Sequence, residues 1–170
     1  YTIIVPPAIR HFNTRALWIV EQLADPRLHE LMNRVRMLAG VDVAPLSPTI
    51  GRIALRALRQ NHIVVLGGDR AIAKNSLIVD FFGHPTPLPS GPATLALRTQ
   101  APVITGYTHR LPDNRSVVHF DPPLPIEQSG VDEAAVRDVT QKIAYSMQAY
   151  IQRDPAQWMV AEAAWPNNGR

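Results

Sequence analysis

The chain has 170 residues, 46% hydrophobic and 18% charged, with no cysteine, so it can bury a core but offers neither a disulfide framework nor thiolate chemistry. No window approaches the roughly 20 uninterrupted apolar residues of a membrane-spanning helix. Charge is nearly balanced overall, 17 Lys and Arg against 14 Asp and Glu, but residues 1–70 hold nine arginines and five acids while residues 71–170 hold eight bases and nine acids.

Tyr1 to Val5 reads as a strand closed by Pro6-Pro7, because proline cannot continue a ladder. A strand at the first residue, with no signal-peptide pattern before it, predicts an N-terminally truncated piece of a longer protein. From Phe12 to Ala24 the spacing of Ala16, Leu17, Val20 and Leu23 is helical. Asp25-Pro26 then caps a second helix over Pro26 to Ala39, with Leu28, Leu31, Met32, Val35 and Leu38 expected inward and Gly40 as its stop. Val41 to Pro45 is strand-like. Ser47-Pro48 opens a third helix with a core stripe of Ile50, Ile53, Ala54, Ala57 and Leu58.

His62 to Gly67 is a nearly continuous apolar run, the pattern of a strand buried on both faces of a parallel sheet. Leu77 to Phe82 is another strand, followed by a loop with Pro85, Pro87 and Pro89. Ser90 to Thr99 reads as a short helix, Pro102 to Tyr107 as a buried strand, and Ser116 to Phe120 as a strand after the turn-like Pro112-Asp113-Asn114. Asp121 to Pro125 breaks the pattern. Val131 to Gln152 is a long helix with Val136, Val139, Ile143, Met147, Tyr150 and Ile151 on one stripe, and Asp154-Pro155 caps a last helix carrying Trp158. The prediction is one α/β domain over 1–170, an αβα sandwich around a mostly parallel sheet, with no linker.

Several groupings could carry chemistry, each beside a plainer explanation. Gly67-Gly68-Asp69-Arg70 follows the strongest strand, where open α/β sheets bind ligands, but a turn with a solvated ion pair fits equally well. It lacks the spacing and Lys-Ser/Thr ending of a phosphate loop. Arg52, Arg56 and Arg59 share the face opposite the third helix's stripe; they could bind an anionic headgroup or an acidic carrier, but a solvated helix face accounts for them better. Arg34 and Arg36 sit late in their helix, where the macrodipole favours cations anyway. The six histidines show no zinc-hydrolase spacing, so no metal site is expected. His109-Arg110 follows a strand and is the pair best placed to reach a site. Aromatic residues are 6% of the chain and do not interleave with the basic ones, so nucleic acid is not an expected partner.

Three stretches together carry a resemblance. They are Ala57 to Arg70 ("ALRQNHIVVLGGDR"), Val79 to Ile104 with its Phe-Phe-Gly, Leu-Pro-x-Gly-Pro-Ala and Ala-Pro-Val wording, and Asp154 to Trp165 ("DPAQWMVAEAAW"). With Arg36 followed by Gly40, they resemble, in order, the C-terminal part of the bacterial lipid A biosynthesis acyltransferase family, which includes lauroyl, myristoyl and phosphatidylinositol mannoside acyltransferases. Leu88 to Ala93 leans toward the last of these. Ala156 stands where the family's terminal Pro-Glu-Gln-Trp pattern has Glu, and the stretch from Pro7 to Gly40 is longer than the family pattern there.

The resemblance implies a glycerol-phosphate-acyltransferase-like fold. It also implies transfer of a fatty acyl chain from an acyl thioester, on coenzyme A or acyl carrier protein, to a hydroxyl of a glycolipid or lipid A precursor. No cofactor or metal is implied. The setting would be peripheral, on the anionic cytoplasmic face of the bacterial inner membrane. The family's general base is a His with Asp or Glu five positions on. Here the six histidines are followed at that distance by Ala16, Arg34, Gly67, Pro89, Asn114 and Leu124, so the chain holds no such dyad and its catalytic residues are unassigned. The resemblance places Arg36, Asp69 and Arg70 along the substrate cleft, Phe82 in its apolar wall, Gly91 with Pro92 at the helix bordering it, and Arg110 at a strand end facing it. The rival reading is a non-catalytic lipid- or carrier-binding module of the same fold.

Overall fold

The computed structural model describes residues 5–70, 76–127, 130–160 and 165. Among them the fold is α/β, in two compact units, Tyr1–Gly67 and Gly68–Arg170.

The first unit is a three-stranded parallel sheet in the order β2-β1-β3, with β1 over Ala16–Val20, β2 over Val41–Pro45 and β3 over Ile63–Val65. Ala16 lies opposite Val41 on one side and Ile63 on the other. All five residues of β1 are buried. Ala16, Trp18 and Val20 pack with Val5, Ile9 and Val41, whereas Leu17 packs with Ala44 and Ala57. The central strand is therefore covered on both faces, by α1 (Val5–His11) on one and α3 (Ile50–Arg59) on the other.

Several expectations for this unit need correction. The predicted strand over Tyr1 to Val5 lies mostly outside the described residues, but Val5 already begins α1. Pro6 and Pro7 open that helix, because proline's fixed φ and missing N–H cost nothing in a first turn. The helix expected over Phe12 to Ala24 is instead β1: Ala16-Leu17-Trp18-Ile19-Val20 is apolar at every position, which suits a central strand, and Asn13 turns the chain into it at φ +47°. The strand at His62 to Gly67 shortens to Ile63–Val65 and is half-buried. Helix α2 (Pro26–Leu38) and its caps match expectation: Asp25 accepts from the N–H of Arg27 (2.8 Å), and Gly40 ends the helix at φ +82°. Its aliphatic stripe does not, for no α2 residue is buried and Leu38 is 81% exposed. In α3, Ala54 and Ala57 are buried and Arg52, Arg56 and Arg59 face outward, as the spacing predicts, although Ile53 is exposed.

The second unit is built on α5 (Glu133–Arg153), capped by Asp132 accepting from the N–H of Ala135 at 2.8 Å. A hairpin of β4 (Ser76–Phe81) and β5 (His84–Pro89) packs Val79, Phe81 and Leu88 on Ala144. Helix α4 (Gly91–Thr99) packs Ala93 on Val136, Val139 and Ile143. A second hairpin joins β6 (Gly106–Arg110) to β7 (Ser116–Phe120).

The proline-rich segment expected to be a loop is β5. Its prolines alternate, and Pro85 and Pro87 lie opposite Asp80 and Ile78. The two-residue turn at Phe82-Gly83, with φ of +58° and +76°, makes Phe81 and His84 the closing hydrogen-bonded pair. The prolines then fall at positions whose missing N–H would point away from β4, the arrangement an edge strand tolerates. On the far edge of β4, α5 supplies the partners: Gln141 accepts from the N–H of Asp80 and donates to its carbonyl, both at 2.8 Å, and Arg137 donates to the Ile78 carbonyl at 2.8 Å.

The strand predicted at Pro102 to Tyr107 begins only at Gly106. Val103 and Thr105 are still tied, their carbonyls accepting from the N–H groups of Leu124 (2.9 Å) and Asp121 (3.0 Å), but Pro122 and Pro123 prevent a continuous ladder. The Pro112-Asp113-Asn114 turn forms as expected, with Asn114 left-handed at φ +67°.

Candidate functional site

In the first unit, the inward side of α2 carries His29, Asn33 and Arg36, one turn apart in succession. The Arg36 guanidinium lies over the Trp18 ring, its Cζ 5.0 Å from the ring centroid. Its Nη1 donates to Asn33 Oδ1 at 2.9 Å. Since arginine can only donate, this orients the amide, and Asn33 Nδ2 then donates to His29 Nε2 at 3.0 Å. The Nε of Arg36 is buried without a partner, and no carboxylate among the described residues pairs with the guanidinium. Desolvation lowers its pKa from the ordinary value, although a guanidinium keeps its charge at any physiological pH. The result is a fixed, partly desolvated cation without a counter-ion among the described residues.

In the second unit, the C-terminal segment organises the predicted residues. A 3-10 turn over Pro155–Gln157 presents Gln157 and Trp158 side by side. Trp158 Nε1 donates to Asp69 Oδ2 at 3.2 Å, which holds the Gly68-Asp69-Arg70 bend. The Trp158 ring lies 6.5 Å from Phe82 and 6.0 Å from Phe81, with Trp165 6.1 Å away. Gln157 clamps the end of β6, accepting from the Arg110 N–H at 2.7 Å and donating to the Arg110 carbonyl at 3.0 Å.

Asp69, Phe82 and Arg110 are thus gathered around Gln157-Trp158. Phe82 holds a left-handed backbone that a bulky residue adopts only at a cost of about 1–2 kcal/mol. Its contacts with Phe81 at 4.9 Å and Trp158 offset that cost. The Arg110 side chain is exposed. Arg70 is half-buried beside Asp69 in the chain. Gly91 opens α4 with Pro92 as expected, but a side chain there would meet nothing within 4 Å, so no close approach requires the glycine. No hydrogen bond or ring contact among the described residues links Gly91 to Trp158. Arg36 belongs to the other unit.

His109 is no substitute for the missing dyad. Its Nδ1 stands 3.6 Å from Asp154 Oδ2, beyond hydrogen-bond reach, and Gln157 already donates to that oxygen at 2.7 Å. Among the described residues no three His, Asp or Glu side chains group closely enough to hold a metal ion.

Sequence reasoning passed over a second polar cluster, between the β6–β7 hairpin and α5. Thr105 Oγ1 lies 2.7 Å from Ser146 Oγ and 2.9 Å from the Tyr150 hydroxyl, and both Ser146 and Tyr150 donate to Asp121 Oδ2. Burial first, and then the bond to Asp121, raise the Tyr150 pKa above the ordinary phenol value. These groups satisfy one another, so the cluster is a clamp that pins the hairpin to the helix. Only Tyr150 was visible beforehand, as an apolar stripe position. His29 and Asn33 had a usable signal, their i, i+4, i+7 spacing with Arg36.

Comparison with known proteins decides the relationship. The family described as bacterial lipid A biosynthesis acyltransferase matches residues 13–166. The chain belongs to that family. The chain is also 30% identical over 151 residues to a phosphatidylinositol mannoside acyltransferase of Mycobacterium tuberculosis, covering 86% of this chain and 46% of the relative. A relative of the same name from Mycolicibacterium smegmatis is 29% identical over 86% of this chain and 47% of its own length. The chain spans about half the length of the curated relatives it matches. The match includes α2 and the Gln157-Trp158 segment. No helix among the described residues of this family member is long and apolar enough to cross a membrane.

Proposed function

We propose that the protein serves the transfer of a fatty acyl chain from an acyl thioester to a hydroxyl of a glycolipid, in the manner its relatives' name describes, with phosphatidylinositol mannoside as the first acceptor to try and a lipid A precursor as the second. In such a reaction the acceptor oxygen bonds to the thioester carbonyl carbon, the carbon–sulfur bond breaks, and the hydroxyl proton passes to a general base while the thiol leaves. Coenzyme A or acyl carrier protein would carry the donor chain. The chain's histidines lack the expected acid partner, so the part assigned to this polypeptide is binding and charge stabilisation. The expected frame is a glycerol-phosphate-acyltransferase-like αβα fold, of which residues 1–170 form one domain, working peripherally at the cytoplasmic face of the bacterial inner membrane.

The observation that carries the reading is Arg36. A guanidinium fixed by Asn33, stacked on Trp18 and lacking a carboxylate partner is prepared to meet negative charge. That charge would be the thioester oxygen as it develops, or a headgroup phosphate. Within the second unit, Asp69, held by Trp158, and Arg70 would be substrate contacts in their own right, with Phe82 on the apolar side, Gly91 at the bordering helix and Arg110 at the strand end.

A second reading, a non-catalytic lipid- or carrier-binding module, is favoured by the missing dyad. Acyl transfer from a long-chain acyl-CoA to phosphatidylinositol mannoside separates the two. Under the enzyme reading, Arg36→Ala and Asp69→Ala in the full-length protein each lower turnover at least about tenfold, equivalent to roughly 1.4 kcal/mol of barrier. Unchanged turnover in both would remove the assignment; no turnover from the wild-type full-length protein, with donor or acceptor still bound, would establish the module.

A further inference from the structure

Helix α2 is amphipathic, yet it meets its own sheet with its polar side. Inward lie His29, Asn33 and Arg36, the last over Trp18. Outward lie Leu28, Leu31, Val35 and Leu38, exposed by 49%, 57%, 44% and 81%. A helix folding against a core in water turns its aliphatic stripe inward, because a wet stripe forgoes the free energy of leaving water. Single exposed leucines are ordinary, but three leucines and a valine in one row over a 13-residue helix make a continuous apolar strip.

The flanks of that strip say what covers it. Arg27 stands one turn before Leu31, and Arg34 one turn before Leu38, both exposed and neither in an ion pair among the described residues. Glu30 is the only acid in the helix. Residues 1–67 hold eight arginines against Glu21, Asp25, Glu30 and Asp42. An aliphatic strip shouldered by long cationic side chains is how a helix lies in the headgroup layer of a negatively charged bilayer. A second copy of the chain fits less well, since a two-fold pairing of these faces would bring like-charged arginines together.

We infer that the Leu28, Leu31, Val35 and Leu38 face of α2, with Arg27 and Arg34, seats the protein on an anionic lipid surface. Its purpose rests on the lipid-acyltransferase reading, but vesicle binding needs no turnover, so either can fail alone. The full chain is sedimented with vesicles of phosphatidylcholine, alone or mixed equally with phosphatidylglycerol. Leu31→Gln with Val35→Gln lowers partitioning about tenfold. Arg27→Gln with Arg34→Gln abolishes most of the preference for the anionic mixture. Arg52→Gln with Arg59→Gln removes the same charge from α3, on the opposite sheet face, and changes binding less than about threefold.

Because the chain has no cysteine, Leu38→Cys carries a single environment-sensitive fluorophore, which shifts to the blue on anionic vesicles while the same label at Arg52→Cys does not. That measurement stands even if a double variant misfolds. Three results would each overturn the inference: wild-type partitioning by the Leu31/Val35 variant, equal losses from the two arginine pairs, or a dimer that dissociates on the Leu31/Val35 change without vesicle binding.

Discussion

The two units handle apolar surface in opposite ways. In Gly68–Arg170, α5 turns Val136, Val139, Ile143 and Ala144 onto its neighbours, and the polar groups it buries at Thr105, Ser146 and Tyr150 satisfy one another around Asp121. In Tyr1–Gly67 the central strand is as well buried as any part of α5, but α2 keeps its leucines outside and its polar side in. Equal hydrophobicity in sequence therefore carries unequal meaning. The α5 stripe is a source of folding energy, whereas the α2 stripe awaits another surface.

The largest test of this contrast is within the second unit's core. Phe81 is fully buried, and Phe81→Ala should cost about 3–5 kcal/mol in urea unfolding. A loss below about 1 kcal/mol would mean that the hairpin does not depend on α5. A somewhat smaller effect is expected at Trp158, where phenylalanine keeps an aromatic ring, though a smaller one, and removes the N–H that holds Asp69. Trp158→Phe should lower acyl-transfer turnover about tenfold while changing stability by only about 1 kcal/mol. Unaltered turnover would show that Asp69 needs no such anchor.

Tyr150→Phe should cost about 1–2 kcal/mol at neutral pH by leaving Asp121 and Thr105 short of a partner. It also carries a pH signature. The folded pKa of Tyr150 is raised above its unfolded value near 10, so its contribution is complete below pH 10 and is lost as pH climbs through the folded pKa. The wild type should therefore lose stability above pH 10 more steeply than the variant, and identical slopes in alkaline urea titrations would contradict this. The smallest effect is expected on the exposed stripe: Leu38→Asn should shift stability by no more than about 0.5 kcal/mol. A loss comparable to that of a core leucine would show that α2 is covered within the chain itself.

Much of the local structure was legible in advance because its causes are local. Asp25-Pro26 starts α2 and Gly40 stops it; Asn114 turns β6 into β7. These depend on backbone dihedrals and short-range hydrogen bonds, which neighbouring residues determine. Where burial decides, local reading failed. Ala16 to Val20 fits a helical period and a buried strand alike, and only β2 and β3 on either side select the strand. Alternating prolines look like a loop until β4 pairs with the one set of positions that needs no proline N–H.

The candidate site divides in the same way. Arg36, Asp69, Phe82 and Arg110 were named from wording shared with a family, and the family membership held. Their neighbours were not named as site residues, because Asn33, Gln157 and Trp158 matter through what they hold rather than through reactive chemistry of their own.

By itself the sequence determined the helix ends, the turns, the outward arginine face of α3, the absence of an acid five positions after any histidine, and the family. Each of these follows from residue type and spacing along the chain. Tertiary structure alone decided that the run at Ala16 is the central strand, that Gln157 and Trp158 gather Asp69, Phe82 and Arg110, and that the leucines of α2 point outward. Those outcomes depend on which surfaces meet, and a period of 3.6 residues specifies that a helix has two sides without saying which of them faces the sheet.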